Sequence, residues 1–279
     1  MPDLEAALRQ IDTWPVPHAA IGVVRPDRTT AVHGDSRRRF RLASISKTLT
    51  AWACLIAIEE GSVSLSDPVG PLGSTLRHLL CHAAGFGFDS IEPITGVERR
   101  RIYSNAGIEC AASHVADRTG MNFATYLQEA VFEPLQMNDT SLDGSPAHAV
   151  FSTVVDLLKF ISEVQHPALV SAASRDEALS IQFPTMSGLV PGVGSFSPNP
   201  WGLGFEIHGT KEPHWMGTTN SAATVGHFGG SGTMMWIDPV QLIGMAALTD
   251  RNFDEWSATA LTAWPQVSDA VIAALTTAA

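Results

Sequence analysis

Hydrophobic positions recur at helical spacing through the middle of this chain. They run together or alternate only near its two ends. Residues 4–11 have helical spacing, with Asp3 placed to cap them. Residues 18–25 are an apolar, β-branched run. Pro26-Asp27-Arg28 turns it into residues 29–33, which predicts a β-hairpin. Residues 46–60 are strongly helical through Leu49, Trp52, Ala53, Leu55, Ile56 and Ile58, and Gly61 is a natural stop. After a turn at Ser66-Asp67-Pro68, Ser74 is expected to cap a short helix over 76–81, and a glycine-bearing loop occupies 83–96. Helices follow at 106–118 (ended by Gly120), at 123–132 (ended before Pro134), and at 153–164 (capped by Ser152).

The pattern changes near Phe183. Residues 184–200 are rich in Pro, Gly and Ser and predict one long loop, of the kind that serves as a lid or wall. Strand-like runs come next at 201–208, 222–228, 233–237 and 242–248. A last helix is expected from Pro265, as its first residue, to Leu275. The order is helix, hairpin, helical insert, strands, helix. It predicts an α/β (α+β) fold in which hairpin and late strands form one antiparallel sheet, with the terminal helices on one face. Residues 1–60 and 181–279 are assigned to the sheet domain and 61–180 to an all-helical lobe, with the active site between them.

Composition narrows the function. Lys+Arg is 17 against Asp+Glu 28, a formal charge of −11, which argues against nucleic acid as a partner. The basic runs Arg37-Arg38-Arg39 with Arg41, and Arg99-Arg100-Arg101, are too short to reverse this, and both are expected on solvated edges or paired with acidic neighbours. No stretch approaches the ~20 apolar residues of a membrane span. The start, Met1-Pro2-Asp3-Leu4-Glu5, does not read as a signal peptide. Cys54, Cys81 and Cys110 are odd in number and lie in apolar segments, so reduced core thiols and a cytoplasmic protein are expected.

Candidate chemistry starts at Ser44-Ile45-Ser46-Lys47. Residues three apart on a helix share a face, so the Ser44 hydroxyl and the Lys47 ammonium are neighbours. A serine needs a partner to take its proton, and a lysine in a dry pocket can do so. Ser46 lacks a lysine three residues on and is read as a helix-start hydroxyl. Tyr103-Ser104-Asn105 stands at a helix entrance. A lysine beside Tyr103 would favour its phenolate, so either Tyr103 or Lys47 can be the base. Asn105 can donate to a substrate carbonyl and accept from Lys47. His227-Phe228-Gly229-Gly230 ends a strand, where glycines allow close approach of a ligand. The Gly230 and Ser44 backbone N–H groups together can form an oxyanion hole. His78 and His82, at i and i+4 beside Cys81, lack a third ligand at diagnostic spacing, so no metal is expected. The glycines of 226–232 are followed by no Lys-Ser/Thr and no helix. No G-x-S-x-G elbow occurs, and nothing calls for a cofactor.

S-x-x-K, then Y-x-N, then H-x-G before a strand ending Trp236-Ile237-Asp238-Pro239 resembles the serine β-lactamase and penicillin-binding protein superfamily. The likeness is to the branch of class C β-lactamases, D-alanyl-D-amino acid peptidases and related esterases. Residues 79–85 (LLCHAAG) and 132–137 (FEPLQM) resemble stretches common there. The resemblance implies a sheet domain with an all-helical domain and an acyl-enzyme on Ser44. It implies Lys47 and Tyr103 as the proton-transfer pair, Asn105 as the substrate-amide contact, and Ser44 and Gly230 as oxyanion donors. The third motif departs from the usual K-T-G: His227 and Phe228 stand where a lysine and a threonine would hold a substrate carboxylate. The expected substrate is therefore a small ester or amide rather than a penicillin. A true β-lactamase or D,D-carboxypeptidase is the alternative. An idle homologue that binds peptidoglycan fragments or a protein is a third reading, and the complete set of polar candidates argues against it.

Overall fold

The computed structural model describes residues 3–26 and 28–276. Helix α1 (Leu4–Leu8) begins where Asp3 accepts from the Glu5 backbone N–H, and it tightens into a 3-10 turn at Arg9–Thr13. Strands β1 (Ala19–Arg25) and β2 (Arg28–Gly34) are the expected antiparallel pair; Asp27 of the predicted turn lies outside the described residues. Strand β3 (Phe40–Arg41) leads through a 3-10 turn, Ala43–Ile45, into α2 (Ser46–Glu59). Every residue of α2 from Ser46 to Ala57 is buried, and Gly61 ends it at φ +77°.

The helical insert holds α3 (Leu76–Leu80), α4 (Asn105–Thr119) and α5 (Phe123–Leu127), the last running on into one π turn at Gln128–Phe132. The cap of α3 is Thr75, not Ser74, because Thr75 and His78 exchange the reciprocal bonds of a capping box. Strands β4 (Ser141–Leu142) and β5 (Val150–Ser152) pair with β3 in a small sheet that the pattern did not predict. Thr153, not Ser152, caps α6 (Val154–Gln165), since its side chain accepts from the Asp156 N–H. Helix α7 (Ala172–Leu179) also escaped the pattern, because Ala178 is its one buried residue and no apolar stripe exists to be read.

The predicted loop at 184–200 contains a small hairpin, β6 (Gly188–Val190) with β7 (Gly194–Phe196). The predicted strand at 201–208 shrinks to β8 (Glu206–Ile207). Strands β9 (Val225–Gly229), β10 (Thr233–Asp238) and β11 (Ile243–Thr249) stand within a residue or three of expectation. Helix α8 (Ser257–Thr276) contains Pro265 in its interior rather than at its start. Burial of Ala260 and Trp264 fixes the turns before the proline and offsets the backbone bond that proline cannot make.

The main sheet has the order β2-β1-β11-β10-β9-β8, and its pairs are antiparallel. This is the mixed fold of one antiparallel sheet with helices that the sequence predicted. One face lies under α1 and α8, with Trp14, Trp236, Trp256 and Trp264 in that core. Helix α6 covers the other face. It comes close because Gly22 and Gly244 lack side chains: a Cβ there would lie 2.6 Å from Leu158 Cδ1 and 2.2 Å from Ile161 Cγ2. Helix α2 is buried on that same side, between sheet and insert, so its first turn opens where β9 ends.

Candidate active site

The turn that carries Ser44 is strained and pinned. Ala43 has φ +46°, a left-handed conformation that costs a non-glycine residue on the order of 1 kcal/mol or more. Three contacts from the β9–β10 corner hold it. Thr233 Oγ1 donates to the Leu42 carbonyl at 2.9 Å, and Ser231 Oγ donates to the Arg41 carbonyl at 2.5 Å. Gly229 lies so close that a Cβ there would sit 2.2 Å from Leu42 O. Ser44 itself is half-buried and faces a cavity. Ser46 is turned inward and accepts from the Val150 N–H at 3.0 Å, in keeping with a structural hydroxyl.

Lys47 is fully buried. Its Nζ lies 2.6 Å from Asn105 Oδ1, 2.9 Å from the Ala147 carbonyl and 3.2 Å from Ser44 Oγ. The amide of Asn105 is oriented by Asp89, whose Oδ1 accepts from Asn105 Nδ2 at 2.7 Å. Two of the three neighbours of Nζ can therefore only accept. A neutral amine satisfies both with its two N–H bonds and turns its lone pair to Ser44. Burial pulls the Lys47 ammonium down to about 7, although the Glu109 and Asp89 carboxylates work against it. Asn105 opens α4, where the Ser104 hydroxyl accepts from the Gly107 N–H and donates to the Gly87 carbonyl.

Tyr103 stands over Lys47, with Nζ 4.7 Å from its ring centroid. The expectation that this cation would favour the phenolate is reversed: burial pushes the phenol above its ordinary value, so Tyr103 holds its proton. Its hydroxyl lies 3.4 Å from His227 Nε2. The other ring nitrogen of His227 is 2.7 Å from the Phe228 carbonyl, which can only accept. Nδ1 therefore carries the hydrogen, and Nε2 is an acceptor for the Tyr103 hydroxyl. Burial, with the Lys47 charge next, lowers His227 to about 3, so the ring is neutral. His82 and Trp201 complete the layer, with centroids 4.7 Å and 5.8 Å from that of Tyr103.

Ser44, Tyr103, His227 and Gly230 line one cavity of about 340 Å3, walled by Val190, Pro191, Phe228 and Phe253. Lys47, Asn105 and Gly229 lie directly behind that surface, so the seven residues singled out in the sequence meet at one end of β9. Gly230 has open space where a side chain would be. His78 and His82 do not face each other across a site. His78 bonds Thr75 and Glu98, while His82 Nδ1 accepts from the Ser104 N–H.

Several participants gave no signal. Asp89 is one aspartate in a loop, and Ala147 contributes only a carbonyl. Glu206 lies in the wall of the cavity in a fully buried cluster: its Oε1 takes Lys211 Nζ at 2.5 Å and His214 Nε2 at 2.9 Å, and its Oε2 takes Trp215 Nε1 at 2.8 Å. Arg101 was expected on a solvated edge or paired with an acid. It is instead 2% exposed and donates to the carbonyls of Cys81, Gln182, Phe183 and Asn199, lacing the insert to the 182–199 wall.

The family model described as Beta-lactamase matches residues 11–265, and the chain belongs to that family. A crystal structure of a beta-lactamase from Mycobacterium bovis superposes with a TM-score of 0.94 at 46% identity, covering 97% of this chain and 99% of that one. A simvastatin synthase variant from Aspergillus terreus superposes with a TM-score of 0.78 at 16% identity, covering 98% of each chain, and shares the fold. A beta-lactamase of Escherichia coli is 27% identical over 135 residues, 39% of this chain and 36% of that protein. The chain also matches penicillin-binding protein 4* of Bacillus subtilis at 28% identity, over 36% of this chain and 30% of that protein. These two alignments span about a third of the relatives' own length.

Proposed function

We propose that the chain is a serine hydrolase that forms an acyl-enzyme on Ser44 from a small ester or amide with an uncharged, apolar acyl group. One observation carries the reading: Lys47 Nζ has two neighbours that can only accept, and its remaining position faces Ser44 Oγ at 3.2 Å. Neutral Lys47 takes the Ser44 proton as Oγ bonds to the substrate carbonyl carbon. The Ser44 and Gly230 N–H groups receive the oxyanion, an interaction whose loss costs ~3 kcal/mol in other enzymes. Tyr103, which holds its proton, gives it to the leaving oxygen or nitrogen as the carbonyl bond breaks, and the proton on Lys47 replaces it. His227 accepts from Tyr103 at rest and fixes its hydroxyl. Water then attacks the acyl-enzyme, its proton passes to the same base, and Ser44 Oγ leaves and is reprotonated.

The acyl preference follows from the cavity. Its lining includes Phe88, Val190, Phe228 and Phe253 and, among the described residues, no lysine or arginine; Glu206 and Asp254 are its charged groups. A carboxylate there would forgo hydrogen bonds worth ~1.5–3 kcal/mol each and meet the Asp254 carboxylate. This argues for esters with a short apolar acyl chain over penicillins.

The test is intact-protein mass spectrometry after exposure to a fluorophosphonate, beside turnover of p-nitrophenyl butyrate. An adduct on Ser44, absent from Ser44→Ala, with ester turnover lost in the same variant, is expected. No adduct and turnover equal to Ser44→Ala would end the reading. The family assignment and the Mycobacterium bovis likeness favour a β-lactamase as the second reading. Nitrocefin hydrolysis lost in Lys47→Ala would establish it, and a rate equal to buffer would remove it.

A further inference from the structure

We propose that a second cavity, beside the acyl cavity, is the leaving-group subsite and takes an apolar phenol or alcohol that carries a carboxylate, read by Arg100. The proposal rests on the reading that Ser44 is acylated. The cavity has a volume of about 300 Å3 and is adjacent to the first, because Phe88, Tyr103 and Pro191 line both. Ser44 and His227 line only the first. The residue between the two spaces is thus the one whose hydroxyl hydrogen is available to a leaving oxygen. A group protonated by Tyr103 departs past it, and the space beyond is this one.

The lining tells what would fit. Ile94, Ile102 and Leu189 supply apolar surface, and Ile94 and Leu189 are 66% and 48% exposed, so the space is open to solvent. Two arginines are among its lining residues. Arg101 is committed to four backbone carbonyls. Arg100 is exposed, and among the described residues no carboxylate lies within 4 Å of its guanidinium. The charges of the two spaces therefore differ: the acyl cavity is lined by Asp254 and by a Glu206 already paired with Lys211, and an arginine with no acid in contact lines this one. A guanidinium fork suits a carboxylate, and the apolar walls suit an aromatic or aliphatic body. In the hydrolysis, the carbonyl–oxygen bond breaks, the leaving oxygen takes the Tyr103 proton, and the carboxylate stays ionised throughout.

Binding and turnover separate this inference from the reading below it. Dissociation constants of 4-hydroxybenzoate and of its methyl ester are measured by calorimetry on the Ser44→Ala protein, with and without Arg100→Gln. The expected result is that the acid binds about three- to fivefold more tightly than the methyl ester, as an exposed ion pair allows. That preference should vanish in Arg100→Gln and be partly kept in Arg100→Lys. In parallel, 4-carboxyphenyl butyrate and its methyl ester are compared as substrates of the otherwise native protein; Arg100→Gln should raise KM for the acid alone. Equal binding of acid and methyl ester, or an equal loss of both in Arg100→Gln, overturns the subsite. A binding preference without ester turnover above that of Ser44→Ala keeps Arg100 as a carboxylate site but overturns its leaving-group role together with the hydrolase reading.

Discussion

Lys47 carries opposed demands. Complete burial opposes an ammonium, while the Glu109 and Asp89 carboxylates favour it, and burial prevails, bringing the group down to about 7. The free chain holds a lysine near 10.4. Between about 7 and that value the unfolded chain binds more protons than the folded one. Stability therefore rises with pH through this window, and the cost of burying the Lys47 ammonium grows as pH falls and is complete below about 7. Lys47→Met should remove that slope, which urea titrations at pH 7, 8 and 9 would read. In the proposed mechanism the same group sets the acid limb of catalysis. For the native protein, kcat/KM toward p-nitrophenyl butyrate should fall tenfold per pH unit below about 7. In Lys47→Met the rate should drop by about 10²–10⁴. A limb set instead by His227 would lie far lower, near 3.

At the scale of elements, the site depends on how β9 meets the turn before α2. Gly229 and Gly230 are neighbours with opposite requirements. A Cβ at Gly229 would overlap the Leu42 carbonyl at 2.2 Å and Thr233 Oγ1 at 2.5 Å, whereas a Cβ at Gly230 meets nothing within 4 Å. Gly229→Ala must push the Ala43–Ile45 turn off the strand. It should cost about 1–3 kcal/mol of stability, as overpacking does, and most of the activity. Gly230→Ala should leave the melting temperature within a degree or two and act on KM, since it faces the cavity. Equal effects of the two on melting would show that the strand does not hold the turn. Such contrasts are invisible in the sequence, where both positions are glycines of one run. The helix at 46–59 was legible because its apolar residues repeat over four turns, and Ser44, Lys47, Tyr103 and His227 because their order along the chain is informative. Helix α7 had no apolar face to read. The β6–β7 hairpin was hidden by turn residues, and Pro265 looked like a start because the burial of Trp264 is a tertiary fact.

Across the whole molecule, the site lies where the sheet, the helical insert and the segment 182–215 converge, and buried charge helps hold that segment. Arg101 ties it to the insert, and Glu206 ties β8 to the stretch carrying Lys211, His214 and Trp215. Burial alone would raise the Glu206 carboxyl, but the Lys211 ammonium and His214 outweigh it and hold it below the usual range. His214 Nδ1 accepts from the Met216 N–H at 3.2 Å, so its other nitrogen donates to Glu206 as a neutral ring. Lys211 is then the one full positive charge against Glu206 in the cluster, and both side chains are 1% exposed. Glu206→Gln leaves that ammonium buried without its counter-charge and should cost ~3–5 kcal/mol. Glu206→Gln with Lys211→Met removes both charges and should recover most of the loss, because the penalty comes from the orphaned ammonium rather than from the missing carboxylate. Denaturant unfolding of the single and double variants reads the difference. A double variant as unstable as the sum of its singles would mean that the pair contributes through packing alone. In that case the cavity wall built on Glu206 would owe its position to Trp201 and Trp215.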